Sequence, residues 1–289
     1  MRTLPAGLIA RLVRTALLED IGPGDLTCEA LIPHDLQARG VITAGSPLIL
    51  AGLEPAQQAF QALDPDVVFR HLARAGDSVA AEGTIMEVEG KAAGILAAER
   101  TALNFLGRLS GIATMTRRCV DSVAETGATI YDTRKTTPGL RLLEKDAVSL
   151  GGGVNHRFGL FDAVLIKDNH LVLAGGPGAA VRKARELHGS RVTVEVEVET
   201  LEGLEEALQA GADIVLLDNM TLEMTAEAVR RKRALGSSAQ LEASGGITLE
   251  NLPAFAKTGV ERISLGALTH SAPAADVSLT LYPKGAARE

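Results

Sequence analysis

The sequence predicts an α/β protein in two parts: a compact α/β region followed by a closed or nearly closed barrel of parallel strands. Three observations lead there. From about residue 114 onward, helix-like segments alternate with short apolar strands, which is the rhythm of βαβ units. No glycine-rich phosphate fingerprint opens any of these units, which weakens the doubly wound alternative. The stretch VTVEVEVE at 192–199 alternates strictly and puts Glu195, Glu197 and Glu199 on one face. An edge strand facing water would explain that face, and so would a barrel strand whose polar side lines the lumen.

Composition narrows the function classes. At 289 residues the chain can bury one large core or two smaller ones, and 46% hydrophobic with 22% charged residues is a globular balance. Aromatics are only 3% with no Trp, so Leu, Val, Ile and Ala must fill the core. A net charge of −7, with no extended basic stripe or interleaved aromatics, argues against nucleic acid as a partner. Cys28 and Cys119 make neither a disulfide framework nor a metal cluster and read as buried thiols. The N-terminus MRTLPAGLIARLVRTALLED scatters charge where a signal peptide would be apolar, and no run of about 18 apolar residues could span a membrane. A soluble, cytoplasmic protein is expected.

The first region, residues 1–112, opens with an amphipathic helix over 6–19 and the turn-rich IGPGDLT. Extended pieces follow at 37–44, 47–52, 66–72 and 84–89. Gly76, Gly83 and Gly90 punctuate AGDSVAAEGTIMEVEG, a pattern resembling small β-modules that carry biotin or a lipoyl group. No lysine stands at a hairpin tip, so the segment reads as structural. A helix over 92–109 should turn Ala93, Leu96, Ala97, Leu103 and Leu106 toward a core, with Arg100 beside Glu99 on its surface.

The second region, 113–271, places helices at 114–127, 139–148, 176–188, 201–210, 222–235 and 249–258. Between them run the strands TIYDT, FDAVLIKD, RVTVEVEVE, ADIVLLDN, QLEASG and ERISLG, with a seventh short strand expected near 148. GGGV at 151 and GGPG at 175 read as turns.

Most of these strands turn polar at their C-terminal ends: Asp132, Arg134 and Lys135; Lys167, Asp168 and Asn169; the glutamates; Asp218 and Asn219; Glu242 and Ser244. In a parallel barrel these ends share the rim on which active sites are built. Residues facing the surrounding helices must be apolar, so Val194, Val196 and Val198 should pack outward while Glu197 faces the lumen. Leu241 and Ala243 alternate with Glu242 and Ser244 in the same way. Arg134, Lys135, His156, Arg157 and Lys167 concentrate positive charge at the rim, opposed by Glu197 and Asp218. Solvated rim residues are one reading. A polyanionic small substrate is the sharper one, because crowded cations need anions and arginine clamps carboxylate or phosphate bidentately. The carboxylates could hold a hard divalent cation, directly or through water, or face a developing positive carbon. SGG at 244–246 and LGALTHS at 265–271 follow the last two strands, where barrels often build a phosphate pocket.

Eight strings carry a close resemblance: ALLEDIGPGDLT, ERTALNFLGRLSGIAT, YDTRKTTPGLR, GGGVNHRFGLFDAVLIKDNH, VEVEVE, LLDNM, EASGGI and RISLGALTHSAPAADVSL. In order and spacing, from about residue 17 to 281, they resemble the quinolinate phosphoribosyltransferase family, the carboxylating nicotinate-nucleotide pyrophosphorylases. The resemblance implies an N-terminal α/β sandwich domain, an incomplete α/β barrel, and a C-terminal tail, 272–289, returning to the first domain. It implies homodimers, or hexamers built from dimers, in which Arg100 reaches the neighbouring subunit's site. It implies that Arg134, His156, Arg157 and Lys167 receive the quinolinate carboxylates, with Lys135 meeting quinolinate or pyrophosphate. Glu197 and Asp218 would face the ribose and its Mg²⁺-bound pyrophosphate, indirectly through water or substrate. Ser244, Gly245, Gly246, Gly266 and His270 would hold the 5-phosphate. Lys135, Lys167, Glu197 and Asp218 would be the catalytic set. The implied reaction joins quinolinate to phosphoribosyl pyrophosphate, giving nicotinate mononucleotide, pyrophosphate and CO2 in de novo NAD biosynthesis. A transferase of the same fold acting on another acceptor is the alternative. A non-enzymatic binding module would leave Glu197 and Asp218 without a purpose.

Overall fold

The computed structural model describes residues 6–284; residues 1–5 and 285–289 of the expected spans 1–112 and 272–289 lie outside the described residues. In chain order the elements are α1 (Ala6–Ile21), α2 (Leu26–Leu31), β1 (Gln37–Ala44), β2 (Leu48–Ile49), α3 (Leu53–Leu63), β3 (Val68–His71), β4 (Ser78–Val79), β5 (Thr84–Lys91) and α4 (Ala92–Ser122). Then follow β6 (Thr129–Tyr131), α5 (Arg141–Leu150), β7 (Val164–Ile166), α6 (Asp168–Ala174), α7 (Pro177–His188), β8 (Val194–Val198), α8 (Leu201–Gln209), β9 (Ile214–Asp218) and α9 (Leu222–Ala234). The last are β10 (Gln240–Ser244), α10 (Leu252–Lys257), β11 (Arg262–Ser264), α11 (Ala267–His270) and β12 (Val277–Pro283). None of these helices is long and apolar enough to cross a membrane.

The chain divides into two compact units. The first holds the residues through Met115, then Pro138–Gly151 and those from Ala272 on. Its main sheet has the order β12-β1-β5-β3, with every pairing antiparallel. Along β1 burial alternates, so Ala38, Gly40, Ile42 and Ala44 face the core, the period-2 signature of a sheet with one covered face. Helix α1 buries Ile9, Val13 and Leu17, spaced one turn apart, and α3 buries Ala56, Ala59 and Phe60. Helices α2 and α3 were absent from the sequence reading. Asp25 starts the former by accepting hydrogen bonds from the Thr27 and Cys28 N–H groups, each at 3.0 Å. Both cysteines are buried, and burial first of all pushes each thiol up to about 11.

Helix α4 corrects two expectations. The segments at 92–109 and 114–127 form one 31-residue helix ending at Ser122. Its buried face includes Ile95, Ala98, Ala102, Leu103, Leu106 and Leu109, so Leu103 and Leu106 are buried as expected, while Ala93, Leu96 and Ala97 are half-buried. Ser110-Gly111 looks like a break in sequence but serves a close approach. Ala275 N–H donates to the Gly107 carbonyl at 2.8 Å, and a Cβ at Gly111 would overlap the Pro273 carbonyl oxygen. Gly111→Ala should therefore destabilise the protein by about 2 kcal/mol or more, although alanine is the better helix former. A denaturant melt showing stabilisation would contradict this packing.

Residues 141–150, expected inside the second region beside a strand near 148, form helix α5 and group with the first unit. There the buried Glu144 accepts from Arg108 Nη2 at 2.9 Å, and Arg108 Nη1 reaches the Ala272 carbonyl at 3.1 Å. The place of the seventh strand is taken by a single bridge, Tyr131 to Val154.

The second unit, Thr116–Thr137 with Gly152–Ser271, carries six parallel strands in the order β6-β11-β10-β9-β8-β7. The first strand lies beside the last, as in a barrel, yet β6 and β7 do not pair with each other. The barrel is open at that seam. Strand β8 is paired on both sides, by β7 and β9, so the edge-strand explanation of the glutamates falls. The turns above the strands are short because caps stand close behind them. Thr200 accepts from Gly203 N–H at 3.1 Å to start α8, and Thr221 accepts from Met224 N–H at 3.2 Å to start α9.

Candidate active site

At the C-terminal ends of the barrel strands lies a cavity of about 540 Å³. Arg134 and Lys135 come from the loop after β6, His156 and Arg157 from the segment beyond the Val154 bridge, and Lys167 from the end of β7. Glu197 enters from β8 and Asp218 from β9. Ser244, Gly245, Gly246, Gly266 and His270 complete the wall. Every candidate residue lines this cavity except Arg100, which is exposed on α4. The sequence reading overlooked Thr133, whose Oγ1 accepts from Lys135 N–H at 3.0 Å, and left Asn219 unassigned; both line the cavity.

The charges are arranged in pairs of unequal exposure. Lys167 Nζ donates to Glu197 Oε2 at 2.6 Å, with the lysine side chain 47% exposed and the glutamate 13%. Asp218 accepts from the Asn219 amide at 2.9 Å. Arg157 donates through Nη1 to the Ala163 carbonyl at 3.2 Å, while its buried Nε meets no acceptor among the described residues. Burial, and then the nearby Arg134 charge, lowers the Arg157 pKa against the opposing pull of the Glu195 and Asp162 carboxylates.

Backbone geometry shapes the opposite wall. Gly245 (φ +91°) and Gly246 (φ +62°) are both left-handed, as is Asn219 (φ +53°), a residue type that tolerates this region. A Cβ on Gly245 would overlap Asn219 Oδ1 and come within 3.0 Å of Asn219 N, whereas one on Gly246 meets nothing within 4 Å. Gly245→Ala should thus cost about 2–3 kcal/mol of stability and most of the activity, against about 1 kcal/mol for Gly246→Ala. Equal melting temperatures for the two variants would refute the close approach. Gly266 performs a similar service: a Cβ there would lie 3.0 Å from His270 Nε2 and 3.1 Å from Lys135 Cδ. The helix expected to present its N-terminus here, α11, is only four residues long.

Below the mouth, the three glutamates of β8 diverge. Glu199 is exposed, Glu197 faces the cavity, and Glu195 is buried at 2% exposure. Glu195 Oε2 meets His156 Nε2 at 2.9 Å, and Glu242 Oε1 lies 3.6 Å from the same nitrogen. Glu242 in turn accepts from Arg262 Nε at 2.6 Å, and that guanidinium lies 3.7 Å from the centroid of the Tyr131 ring. Burial raises the Glu242 pKa, aided by the Glu195 charge. For His156 burial opposes the cation, but the Glu195 hydrogen bond and the two carboxylates outweigh it and hold the pKa above its ordinary value. The Arg157 backbone N–H points at His156 Nδ1, 2.8 Å away. In the neutral ring that nitrogen keeps its lone pair and the proton sits on Nε2, facing Glu195. Both ring nitrogens of this expected substrate ligand are therefore engaged inside the barrel.

A second cavity, about 930 Å³, opens at the N-terminal ends of the strands. It is larger but lacks Lys135, Lys167, Glu197 and Asp218, so the chemistry belongs at the mouth. Among the described residues, only His156 and Arg157 border both.

The chain is similar to known proteins over most of its length. Residues 25–110 match the family model described as quinolinate phosphoribosyl transferase, N-terminal domain, and residues 112–280 match the C-terminal domain of the same name. The chain is 45% identical over 271 residues to the probable nicotinate-nucleotide pyrophosphorylase [carboxylating] of Bacillus subtilis, covering 94% of this chain and 92% of that one. Identity to the nicotinate-nucleotide pyrophosphorylase [carboxylating] of Mycobacterium leprae is 41% over 272 residues, 93% and 95% of the two chains. The solved nicotinate-nucleotide pyrophosphorylase of Francisella tularensis superposes with a TM-score of 0.92 at 42% identity, covering 97% of this chain and 98% of that one.

Proposed function

The chain belongs to the quinolinate phosphoribosyl transferase family, and we propose that it transfers phosphoribose from phosphoribosyl pyrophosphate to quinolinate with loss of CO2. The products are nicotinate mononucleotide, pyrophosphate and CO2, a step of NAD biosynthesis. The observation that carries this reading is the gathering of Arg134, Lys135, Arg157 and Lys167 at one barrel mouth opposite Glu197 and Asp218. Such a site suits an acceptor with two carboxylates and a donor rich in phosphate.

The quinolinate ring nitrogen already holds a lone pair, so its attack needs no general base. The nitrogen–C1′ bond forms as the C1′–oxygen bond to pyrophosphate breaks, and the residues of the mouth act by position and field. Arg134, Arg157 and Lys167 orient the acceptor's carboxylates, with His156 beneath them. Glu197 and Asp218 face the ribose carbon as it gains positive character. Lys135 receives charge developing on the leaving pyrophosphate, and Ser244, Gly245, Gly246, Gly266 and His270 hold the 5-phosphate.

Glu197 and Asp218 are hard oxygen donors on adjacent strands of the same cavity, and this donor set fits Mg²⁺ held through water or through the substrate. When bound, that ion neutralises charge on the pyrophosphate. Transfer leaves a cationic pyridinium nitrogen, so breaking the adjacent ring–carboxylate bond gives a carbanion stabilised by that charge, which then takes a proton. Transfer therefore precedes decarboxylation; CO2 release from quinolinate at full rate without phosphoribosyl pyrophosphate would reverse this order. The working form is a homodimer, or a hexamer of dimers, in which Arg100 serves the neighbouring subunit, and its place is the cytoplasm.

The deciding experiment supplies quinolinate, phosphoribosyl pyrophosphate and Mg²⁺ and measures nicotinate mononucleotide and CO2 together, with nicotinate as the parallel acceptor. Equal yields of the two products from quinolinate are expected. Product from nicotinate alone would instead favour a transferase of this fold with a different acceptor.

A further inference from the structure

The buried row Arg262–Glu242–His156–Glu195 lies between the two cavities of the barrel, and its residues come from β11, β10, the segment after Val154, and β8. Its three potential ligand groups, His156, Glu195 and Glu242, lie close enough to hold a metal ion, their ligand atoms being within 4.8 Å of one another. The connectivity points elsewhere. Arg262 already sits 2.6 Å from Glu242, and His156 Nε2 already donates to Glu195, so an added dication would need to break the latter bond and face the guanidinium. The row is a set of internal ion pairs and hydrogen bonds.

One end of the row leads to the mouth. Glu195 fixes His156 through Nε2; His156 fixes the Arg157 main chain through Nδ1; the Arg157 side chain reaches the cavity and is tied to the Ala163 carbonyl. Asp132 Oδ1 accepts the His156 N–H at 2.8 Å, so the same turn is also held by the residue that follows β6. The imidazole has no ring nitrogen left to donate to a carboxylate. We propose that Glu195 is a positioning residue for the anionic acceptor, acting through His156 on Arg157, and that His156 serves this reaction as a strut. This rests on the quinolinate reading above and extends it to residues that do not touch substrate.

The test compares Glu195→Leu with Glu195→Gln, in the full chain with both substrates varied. The leucine removes the acceptor for His156 Nε2–H; the glutamine keeps an oxygen there and loses only the charge. Glu195→Leu should raise the quinolinate KM about 30-fold with the phosphoribosyl pyrophosphate KM within about twofold, the effect of unpairing one buried polar group. Glu195→Gln should recover to within about fivefold of the parent. A role confined to stability would instead lower both variants' melting temperatures and leave the quinolinate KM unchanged, and that outcome overturns the proposal. If the leucine chain does not fold, Glu195→Ala, which also lacks the acceptor, takes its place: a quinolinate KM within about twofold of the parent in that folded variant refutes the strut. Parent protein that makes no product from quinolinate would refute the functional reading itself, a result distinct from active parent with insensitive variants.

Discussion

Lys167→Ala should lower kcat/KM for quinolinate about 10²- to 10³-fold while leaving the melting temperature almost unchanged. The stability half follows from exposure. The lysine is half out in water, and an ion pair of that kind contributes about 1 kcal/mol at most, even at 2.6 Å. The activity half follows from the charge balance of the cavity. Arg134, Lys135, Arg157 and Lys167 face Glu197 and Asp218, Glu242 being taken by Arg262. Without Lys167 the Glu197 carboxylate loses its partner and confronts an acceptor with two negative charges. Attraction becomes repulsion at the spot where the substrate must sit. Leu165 and Ile166 of β7 keep their places, so the barrel survives the change. Steady-state kinetics beside a thermal melt would check both halves; unchanged quinolinate affinity in a folded variant would remove Lys167 from the acceptor site.

Arg157→Met should separate stability from activity more sharply still. The guanidinium is partly buried, its Nε has no acceptor among the described residues, and burial together with Arg134 lowers its pKa. Glu195 and Asp162 offset only part of the cost of holding this cation in the empty protein, and methionine occupies similar space without charge. The ligand-free variant should therefore melt no lower than the parent, while kcat/KM falls about 10³-fold with the loss of a bidentate carboxylate clamp. Quinolinate should raise the parent's melting temperature by mass action and leave the variant's unmoved. A thermal-shift titration reads both. A ligand-free variant that melts well below the parent would mean that Arg157 is held mainly by the protein and not kept for an anion.

Much of this is legible in the amino-acid sequence. The strands of the second unit announce themselves because apolar side chains must face the helices, and period-2 alternation then sends Glu195 and Glu197 to the inner side. Polar strand ends, glycine pairs and the order of the motifs point to every cavity residue named above except Thr133 and Asn219, whose small polar side chains carry no charge pattern of their own. Helix α4 was harder to read. Ser110-Gly111 carries the composition of a break, and only the Ala272–Ala275 segment passing against the helix explains why a glycine is needed where the helix continues. Helix α5 misled for a related reason: its place in the chain lies between barrel strands, but its contacts are with the first unit.

Local pattern by itself determined the fold class, the polar mouth and the identity of the charges gathered there. It did not determine depth. Alternation says which face of β8 a glutamate occupies, but whether that glutamate meets substrate or the barrel interior depends on which residue stands opposite in the neighbouring strands. Glu195 pairs in register with Leu165 and Ile214 and meets His156; Glu197, one repeat higher, meets Lys167. The two glutamates are alike in sequence and differ in partner by about 7 Å of strand rise. Tertiary structure alone made one a residue of the mouth and the other a buried support.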